Sequence, residues 1–453
     1  MVAGAGALID ADGGQLDRVL WSEVFLDPNT QQWTEYEVCV TQDPFSSKSR
    51  RHANYGLVTT RVQLDGGGLE QHSTTELTWD PSGSGDYWGS AYFTIGAPAI
   101  AAQSSAGVAA GAAKLYDAYY CQSAAIAAIK EVRLKHGNQA VICANKRALY
   151  HWYQMYCPDA ELAMDSNIHR YQTESQLKDA SGANQLWVVP ILFSCFRPHR
   201  PDRSLPLHRT YGQRITLGMT MEALTAFTVN QPAPSIVPGL WGAAATSLTS
   251  ATMPVKLYGT FYVMGEMLRA KADSAAPSKL IIRQTNEKEG TTDSGAIGSQ
   301  MSLEPNFNHP VTHAMLGFIP DNYTDATTYS PCGVGLKNYF DYSASHGGES
   351  LYEINLKFNN QEVIDKEIPP VFLRSCMWQE NFGKSPYSSL YLIPFSRNLL
   401  NDNVLHTVNF SGVEKLLFYA KKNSGDVGKM FLIVENHNAL TGARGYLGSV
   451  FGG

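Results

Sequence analysis

The sequence carries no surplus of positive charge: 35 Lys and Arg stand against 41 Asp and Glu, a formal net charge of −6. Neutralising a phosphate backbone needs cations concentrated on one face, so direct, sequence-specific binding of nucleic acid is not expected. No run of 18 apolar residues occurs, and the opening MVAGAGALIDADGG has no basic stretch ahead of an apolar core. Neither a membrane span nor a secretion signal is therefore expected. The nearest approach, the small-residue stretch from Ala97 to Ala113, reads as a loop or strand connection. Cysteine is sparse and scattered. Cys39, Cys121, Cys143, Cys157, Cys195, Cys332 and Cys376 are odd in number and contain no CxxC pair, which argues against a disulfide framework or a zinc knuckle. They read as mostly reduced, buried thiols of a protein made in a cytosol or nucleus.

Motifs that carry chemistry are also missing. There is no GxSxG elbow to expose a serine nucleophile, and no HxH or HExxH to hold a metal. His309 and His313 (HPVTH) have a metal-like spacing, but Pro310 disfavours a helix that would put both on one face, and no third ligand is near. A strand end is the better reading. DGGGLE (Asp65 to Glu70) and PSGSGD (Pro81 to Asp86) lack the Lys-Ser/Thr and helix pattern of a phosphate cradle, and DSGAIGS (Asp293 to Ser299) reads as a flexible loop. No catalytic residue, cofactor-binding residue or metal ligand is assigned, no cofactor is expected, and the chain does not read as an enzyme.

What is abundant is strand. Apolar residues make up 44% of the 453, aromatics 11% and charged residues only 17%, which suits sheets packed against neighbours. Short β-branched or aromatic segments recur at Tyr36–Gln42, Gly56–Leu64, Ala91–Ile95, Leu186–Phe193, Arg214–Met221, Lys256–Met264, Lys279–Gln284 and Lys429–Glu435. Clusters of Gly, Pro, Asn and Asp separate them, the spacing of β-sandwiches rather than βαβ units. One amphipathic helix is expected from Asn145, a capping residue, to Cys157 before Pro158.

The chain also repeats itself. EVRLKHGNQAVI (Glu131 to Ile142) and EINLKFNNQEVI (Glu353 to Ile364) share seven residues at the same spacing, 222 positions apart (353 − 131). Each has alternating apolar positions running into a Gly-Asn or Asn-Asn turn, a hairpin signature. Fainter echoes follow in the same order: Trp187–Phe196 with Ser389–Asn398, and MEALTAF (Met221 to Phe227) with VEKLLFYA (Val413 to Ala420). A duplicated domain explains an ordered series better than chance. The Pro-, Gly- and Ala-rich stretch Gln231–Thr252 marks the boundary, giving an N-terminal arm 1–16, a first domain 17–235, a linker 236–252, a second domain 253–446 and a tail 447–453.

These pieces resemble the major capsid proteins of nucleocytoplasmic large DNA viruses, such as irido-, phycodna- and marseilleviruses. The likeness runs through IKEVRLKHGNQAVI with the following YHWY, through VVPILFSCFRPHRPDRSLPLHRTYGQRITLGM, and through SLYLIPFSRN, VNFSGVEKLLFYA and LIVENHNALTGARGYLGSVF, covering roughly residues 115 to 450. The N-terminal third departs from the family's Leu-Thr-Gly-Asp-Pro opening, and LHTV (Leu405 to Val408) stands where Gln-Pro-Ser-Gly is usual. The resemblance implies an all-β chain of two tandem eight-stranded jelly rolls with short helices in the connecting loops. It further implies homotrimers forming pseudo-hexagonal capsomers in an icosahedral virion shell, made in the host cytoplasm. Partners would be neighbouring capsomers, minor capsid and penton proteins, and an internal lipid membrane.

Three features stay open at this level. Arg197, Arg200, Arg203 and Arg209, with His199 and His208, form the one basic cluster; they read either as a contact patch for an acidic neighbour, minor capsid protein or lipid face, or as a solvated proline-rich loop. Asn322 and Asn409 head sequons, with Asn322 the candidate for glycosylation and Asn409 expected on a strand and unmodified. The alternative to a shell protein is a tandem β-sandwich carbohydrate-binding module or accessory protein, which would need exposed aromatics such as Trp79, Trp88, Trp152, Trp187, Trp241 or Trp378 on one face. By length, Asp65–Tyr87 and Asp321–Gly348 read as insertions crowning the trimer.

Overall fold

A computed structural model describes residues 55–100, 116–156, 166–171, 174–196, 204–208, 210, 213–232, 253–266, 269–270, 278–293, 295–321, 339–343, 348–386, 388–396, 399, 407–443 and 446–449. Each segment read as a strand carries one where it lies within the described residues; Tyr36–Gln42 lies outside them. In the first half the strands are β1 (Tyr55–Leu64), β2 (Leu77–Asp80), β3 (Tyr87–Ala97), β4 (Tyr116–Tyr120), β5 (Ile129–His136), β6 (Gln139–Asn145), β7 (Gln185–Pro190), β8 (Leu205–Pro206), β9 (Ile215–Met221), β10 (Thr228–Pro232) and β11 (Val255–Met264). In the second half they are β12 (Ser278–Asp293), β13 (Gln300–Leu303), β14 (Pro310–Pro320), β15 (Leu351–Phe358), β16 (Gln361–Ile364), β17 (Tyr391–Pro394), β18 (Val408–Asn409), β19 (Leu416–Lys422), β20 (Gly428–Ala443) and β21 (Tyr446–Ser449). Helices are short: α1 (Ala124–Ala127), α2 (Lys146–Tyr156), α3 (Glu174–Ser181) and, after a π-helical turn at Phe372–Cys376, α4 (Met377–Phe382).

The pairing gives the same antiparallel pattern twice. One sheet of the first unit runs β1-β11-β3-β7 and the other β2-β9-β5-β6; those of the second run β12-β20-β14-β17 and β13-β19-β15-β16. Numbering each unit's eight framework strands in chain order, both read 1-8-3-6 facing 2-7-4-5, the double Greek key of a jelly roll. In the first roll β1 belongs to both sheets, since Tyr55 to Val62 pair with β11 while Gln63 and Leu64 pair with Asp80 and Trp79.

The internal repeat has a structural meaning. Its two copies are the hairpins β5–β6 and β15–β16, the fourth and fifth strands of each roll. Asn359 and Asn360 take φ of 49° and 68°, the left-handed pair that a tight two-residue hairpin turn requires. The second echo also holds, for Trp187–Phe196 begins within β7 and Ser389–Asn398 contains β17, the sixth strands of the two rolls. The third does not. MEALTAF begins where β9 ends, whereas VEKLLFYA runs into β19, whose counterpart is β9 itself. Short apolar stretches look alike at a strand end and a strand start, so the letters matched out of phase.

Pairing also reassigns one strand. Val255–Met264, placed by its position after the linker in the second domain, is the closing strand of the first roll: it lies between β1 and β3, with Val58 opposite Phe261 and Phe93 opposite Leu257. Residues 236–252 thus precede a strand of the first roll, and the passage between rolls falls after Met264. Asp65–Tyr87 is not an insertion either, because it contains framework strand β2. Within DSGAIGS, Gly295 to Ser299 form a loop, as read, but one tied down by Asp293, the last residue of β12, which accepts from the Ser299 hydroxyl at 2.8 Å and pairs with buried Lys422.

Alternation fills the cores. Trp79, Phe93, Val132, Leu134 and Leu217 point inward in the first roll, and Leu303, Leu316, Ile354, Leu356 and Leu432 in the second. Asn145 caps α2 as its sequence suggests, its Oδ1 accepting from the Ala148 amide at 2.9 Å. Close backbone approach fixes two glycines: a Cβ at Gly317 would lie 2.4 Å from the Phe431 ring, and one at Gly428 would lie 2.1 Å from the Ile319 carbonyl oxygen.

Candidate functional site

The most elaborate polar arrangement is the seam between the two rolls. On the first roll it is built by β6, the second strand of the repeated hairpin, and α2 directly after it; on the second by β12, the neighbouring β20, and Phe340 and Tyr342 ahead of β15. The Gln284 amide donates to the Val141 carbonyl at 2.7 Å and the Thr285 hydroxyl to that of Cys143 at 3.4 Å. Arg147 on α2 pairs with Glu287 and, at 2.5 Å, with Glu289, and its guanidinium lies 5.3 Å from the Phe431 ring centre. Asn145 donates to Glu287 as well.

Deeper in the seam, Arg283 and Glu435 are both buried. Arg283 Nη1 donates to the Tyr156 hydroxyl at 2.9 Å, to the Leu399 carbonyl at 2.9 Å and to Glu435 Oε2 at 3.2 Å, and its backbone amide donates to Ser194 Oγ at 3.0 Å. The Tyr156 hydroxyl donates in turn to Glu435 Oε2 at 3.0 Å, and His313 Nε2 stands 3.6 Å from the same oxygen. The two charges, both of the second roll, neutralise each other, and the first roll adds hydrogen bonds through the Tyr156 and Ser194 hydroxyls, the condition under which buried ions are tolerated.

Aromatic packing completes the joint. Tyr150 stacks on Phe340 with centroids 4.1 Å apart, and His151 packs against both Tyr342 and Phe431, themselves in contact, with its Nε2 3.3 Å from the Tyr342 hydroxyl. Burial, followed by the nearby charges of Arg147 and His313, lowers the His151 pKa to about 3, so the ring is neutral at neutral pH. One hydrophobic cluster runs from Trp88 and Trp152 through Ile282 to Trp378 and Ile433, so the rolls share a core.

Among the described residues no group of three or more His, Cys, Asp or Glu is placed to hold a metal ion, and no helix is long and apolar enough to cross a membrane. His309 and His313 do not converge. His309 has φ of 76° just ahead of β14, while His313 is buried within that strand at the seam. Trp79, Trp88, Trp152, Trp187 and Trp378 are all fully buried, which removes them as a sugar-stacking platform; Trp241 lies outside the described residues. None of Cys121, Cys143, Cys195 and Cys376 is in a disulfide, but only Cys121 and Cys195 are buried; Cys376 is exposed, against the expectation of buried thiols. Asn409 ends β18, exposed, and caps the turn after it by accepting from the Ser411 amide at 3.1 Å. Arg197, Arg200, Arg203, Arg209 and Asn322 lie outside the described residues. His208, beside the basic cluster in sequence, is buried with Nδ1 3.1 Å from the Asp86 carbonyl.

Arg283 and Glu435 belong to no chemical motif of the sequence. Glu435 closes the apolar run KMFLIVE and Arg283 sits inside KLIIRQ; a charge placed at an inward strand position was the available signal.

No protein-family model matches the chain, and no curated protein matches it. Solved structures do. The crystal structure of the PBCV-1 Vp54 protein, fitted into a reconstruction of the virophage Sputnik, is similar with a TM-score of 0.68 at 14% identity, over 90% of this chain and 100% of that one. The chain has the double jelly-roll fold. A quasi-atomic model of the PBCV-1 virus capsid gives a TM-score of 0.67 at 14% identity over 90% of this double jelly-roll chain and 100% of that one. The Faustovirus major capsid protein gives 0.65 at 12% identity over 88% and 92%. At such identities what is shared is the path of the backbone through both rolls.

Proposed function

We propose that this chain is a major capsid protein, a structural and non-enzymatic subunit of the icosahedral shell of a large double-stranded DNA virus. The observation that carries the reading is the same eight-strand topology built twice in one chain and locked by a seam with a shared core. Three such chains present six similar wedges, so a single gene product fills a pseudo-hexagonal capsomer. Closed jelly rolls also leave few sheet edges open to misassociation, which suits a protein that accumulates before assembly. The solved structures sharing this fold include a virus capsid and a viral major capsid protein.

On this reading the partners are two further copies of the chain, neighbouring capsomers, minor capsid and penton proteins, and a lipid membrane beneath the shell. Arg197, Arg200, Arg203 and Arg209 are the candidate contact patch for an acidic partner, Asn322 is the candidate glycosylation site, and synthesis takes place in the host cytoplasm. Light scattering coupled to size exclusion tests the core of the proposal, with negative-stain imaging of the same peak. A mass of three times 49.7 kDa and hexagonal outlines are expected. A monomer that never forms hexagonal plates at high concentration overturns it.

A further inference from the structure

The first roll carries a layer that its eight framework strands do not account for. β4 and β10 pair only with each other, a two-stranded sheet apart from both sheets of the sandwich. The layer meets the roll at the start of β7, where the rings of Tyr120 and Trp187 lie 4.8 Å apart. His169 joins its parts. The ring Nδ1 is 2.7 Å from Oε1 of Gln185, the first residue of β7, and Nε2 is 3.2 Å from Oγ of Ser181, the last residue of α3. Ser181 Oγ also accepts from the Tyr120 amide of β4 at 3.1 Å, and the His169 carbonyl accepts from the amide of Ser123, just ahead of α1, at 2.9 Å. Tyr120, Tyr171 and Trp187 surround the imidazole with ring centres at 5.5, 5.2 and 5.6 Å.

The backbone is strained at the same point. Ser123 has φ of 55° and His169 of 60°, the left-handed region that favours glycine, and the two are bonded to each other. Both are buried, unlike the other described non-glycine residues with positive φ, His309, Asn359 and Asn360. Such conformations persist only where the surroundings enforce them, and they concentrate at elements that switch. The cage suits a neutral ring. Gln185 Oε1 also accepts from Trp187 Nε1 at 2.8 Å, so it takes the proton on Nδ1 and leaves Nε2 bare toward the Ser181 hydroxyl. The ionisable side chains against the ring are Tyr120 and Tyr171, whose hydroxyls burial holds above their ordinary range. His72 and Cys121 lie beyond, on Phe227, while Arg170 and Asp179 are not buried. Among the described residues no carboxylate pairs with His169, and a proton added there stays uncompensated. Burial holds its pKa at about 4, below the ordinary 6.5.

We infer that His169 is an acid-released latch: when it is protonated, the layer of β4, α1 and α3 parts from the first roll while both sandwiches stay folded. Parting one layer costs less than unfolding the roll, because only its own contacts are lost. The hold is complete above pH 6.5 and weakens as pH falls toward 4, since only the parted layer lets the ring take up a proton at its ordinary pKa. Lowering the pH from 7.5 to 5.0 should raise the open population about 30-fold. The inference rests on the fold of the first roll and not on the capsid reading.

Hydrogen exchange of the full-length protein at those two pH values, corrected for intrinsic rates, tests it. Amides of residues 119–128 should exchange about 30-fold faster at the lower pH, with those of β5, β9 and β20 unchanged. His169→Gln, which keeps a neutral polar side chain, should abolish the difference, and His72→Gln should retain it. Exchange of the imidazole Cε1 proton, followed by mass spectrometry across a pH series, reads the titration of His169 in the wild-type chain without any variant; a midpoint well below 6.5 is expected. A midpoint at 6.5, no quickening of residues 119–128, equal quickening of β5, β9 and β20, or a difference that survives His169→Gln overturns the latch. Each of these leaves the capsid reading untouched.

Discussion

Arg283 on β12 and Glu435 on β20 face each other across 3.2 Å with no solvent exposure, and the hydroxyl that bridges them, Tyr156, comes from the other roll. The ion pair therefore senses whether the rolls are docked. Glu435→Gln is expected to destabilise the chain by about 3–5 kcal/mol, the cost of leaving a buried guanidinium without its counter-charge. Replacing both partners by apolar residues, Arg283→Met with Glu435→Leu, should cost less than the sum of the single changes. Urea denaturation of the four chains in a double-mutant cycle measures the difference; strict additivity would show that the two charges do not act as a pair.

Acid is expected to loosen the fold through two neutral histidines. Burial lowers His151 to about 3, with Arg147 and His313 adding to it, and lowers His169 to about 4 despite its bond to Gln185. Between these values and the ordinary 6.5 the unfolded chain binds a proton that the folded chain refuses, so stability rises with pH through that window and is lost as pH falls through it. Each histidine contributes a slope of at most about 1.4 kcal/mol per pH unit. Melting temperature measured from pH 7.5 to 4.5 should fall, and less steeply in His151→Gln and His169→Gln. An unchanged profile in both variants would assign the acid sensitivity to other groups.

Gly317 and Gly428 predict a steric outcome. An alanine methyl at Gly317 would press into Phe431, the ring that Arg147 and His151 rest on, and one at Gly428 would meet backbone that cannot turn aside. Gly317→Ala should cost about 1–3 kcal/mol, as overpacking does. Gly428→Ala should cost more, because its obstacle is a carbonyl on the paired strand β14 rather than a side chain. Thermal denaturation of the two variants ranks them; the reverse order would mean that the strand yields more easily than the ring.

Lys422 is buried in the second roll, donating to the Asp426 carbonyl at 2.7 Å and pairing with Asp293. It joins the loop after β12 to the loop before β20. Lys422→Met is expected to cost about 3 kcal/mol, the lower end for a broken buried pair because Asp293 retains some contact with water. Hydrogen exchange at residues 295–299 should quicken in this variant while β14 stays protected. Uniform quickening throughout the second roll would show a global rather than a local role.

Much of this was legible because it is short-range. The β-branched residues of GLVTTRVQL and the apolar run of KMFLIVE marked strands, the Asn-Asn turn marked a hairpin, and Asn145 marked the start of α2; each depends on neighbours within a few residues. The repeat revealed the duplication because corresponding strands of two like folds keep like patterns. The helix after the first hairpin could be seen, but not that the second roll would cover Arg147, Tyr150 and His151 on it, since that burial depends on elements more than a hundred residues away.

The sequence by itself determined that the chain is mostly strand, that it is built twice, and where its hairpins turn. Tertiary structure alone decided that Val255–Met264 closes the first roll, that Asp65–Tyr87 contains a framework strand, and that Arg283 and Glu435 meet at a seam. The physical reason is the reach of the interactions. Periodicity is set by the two faces of one strand, whereas a strand's partner is chosen by hydrogen bonds and side-chain contacts between segments distant in sequence, as when Val58 pairs with Phe261, and no local pattern of residues records that choice.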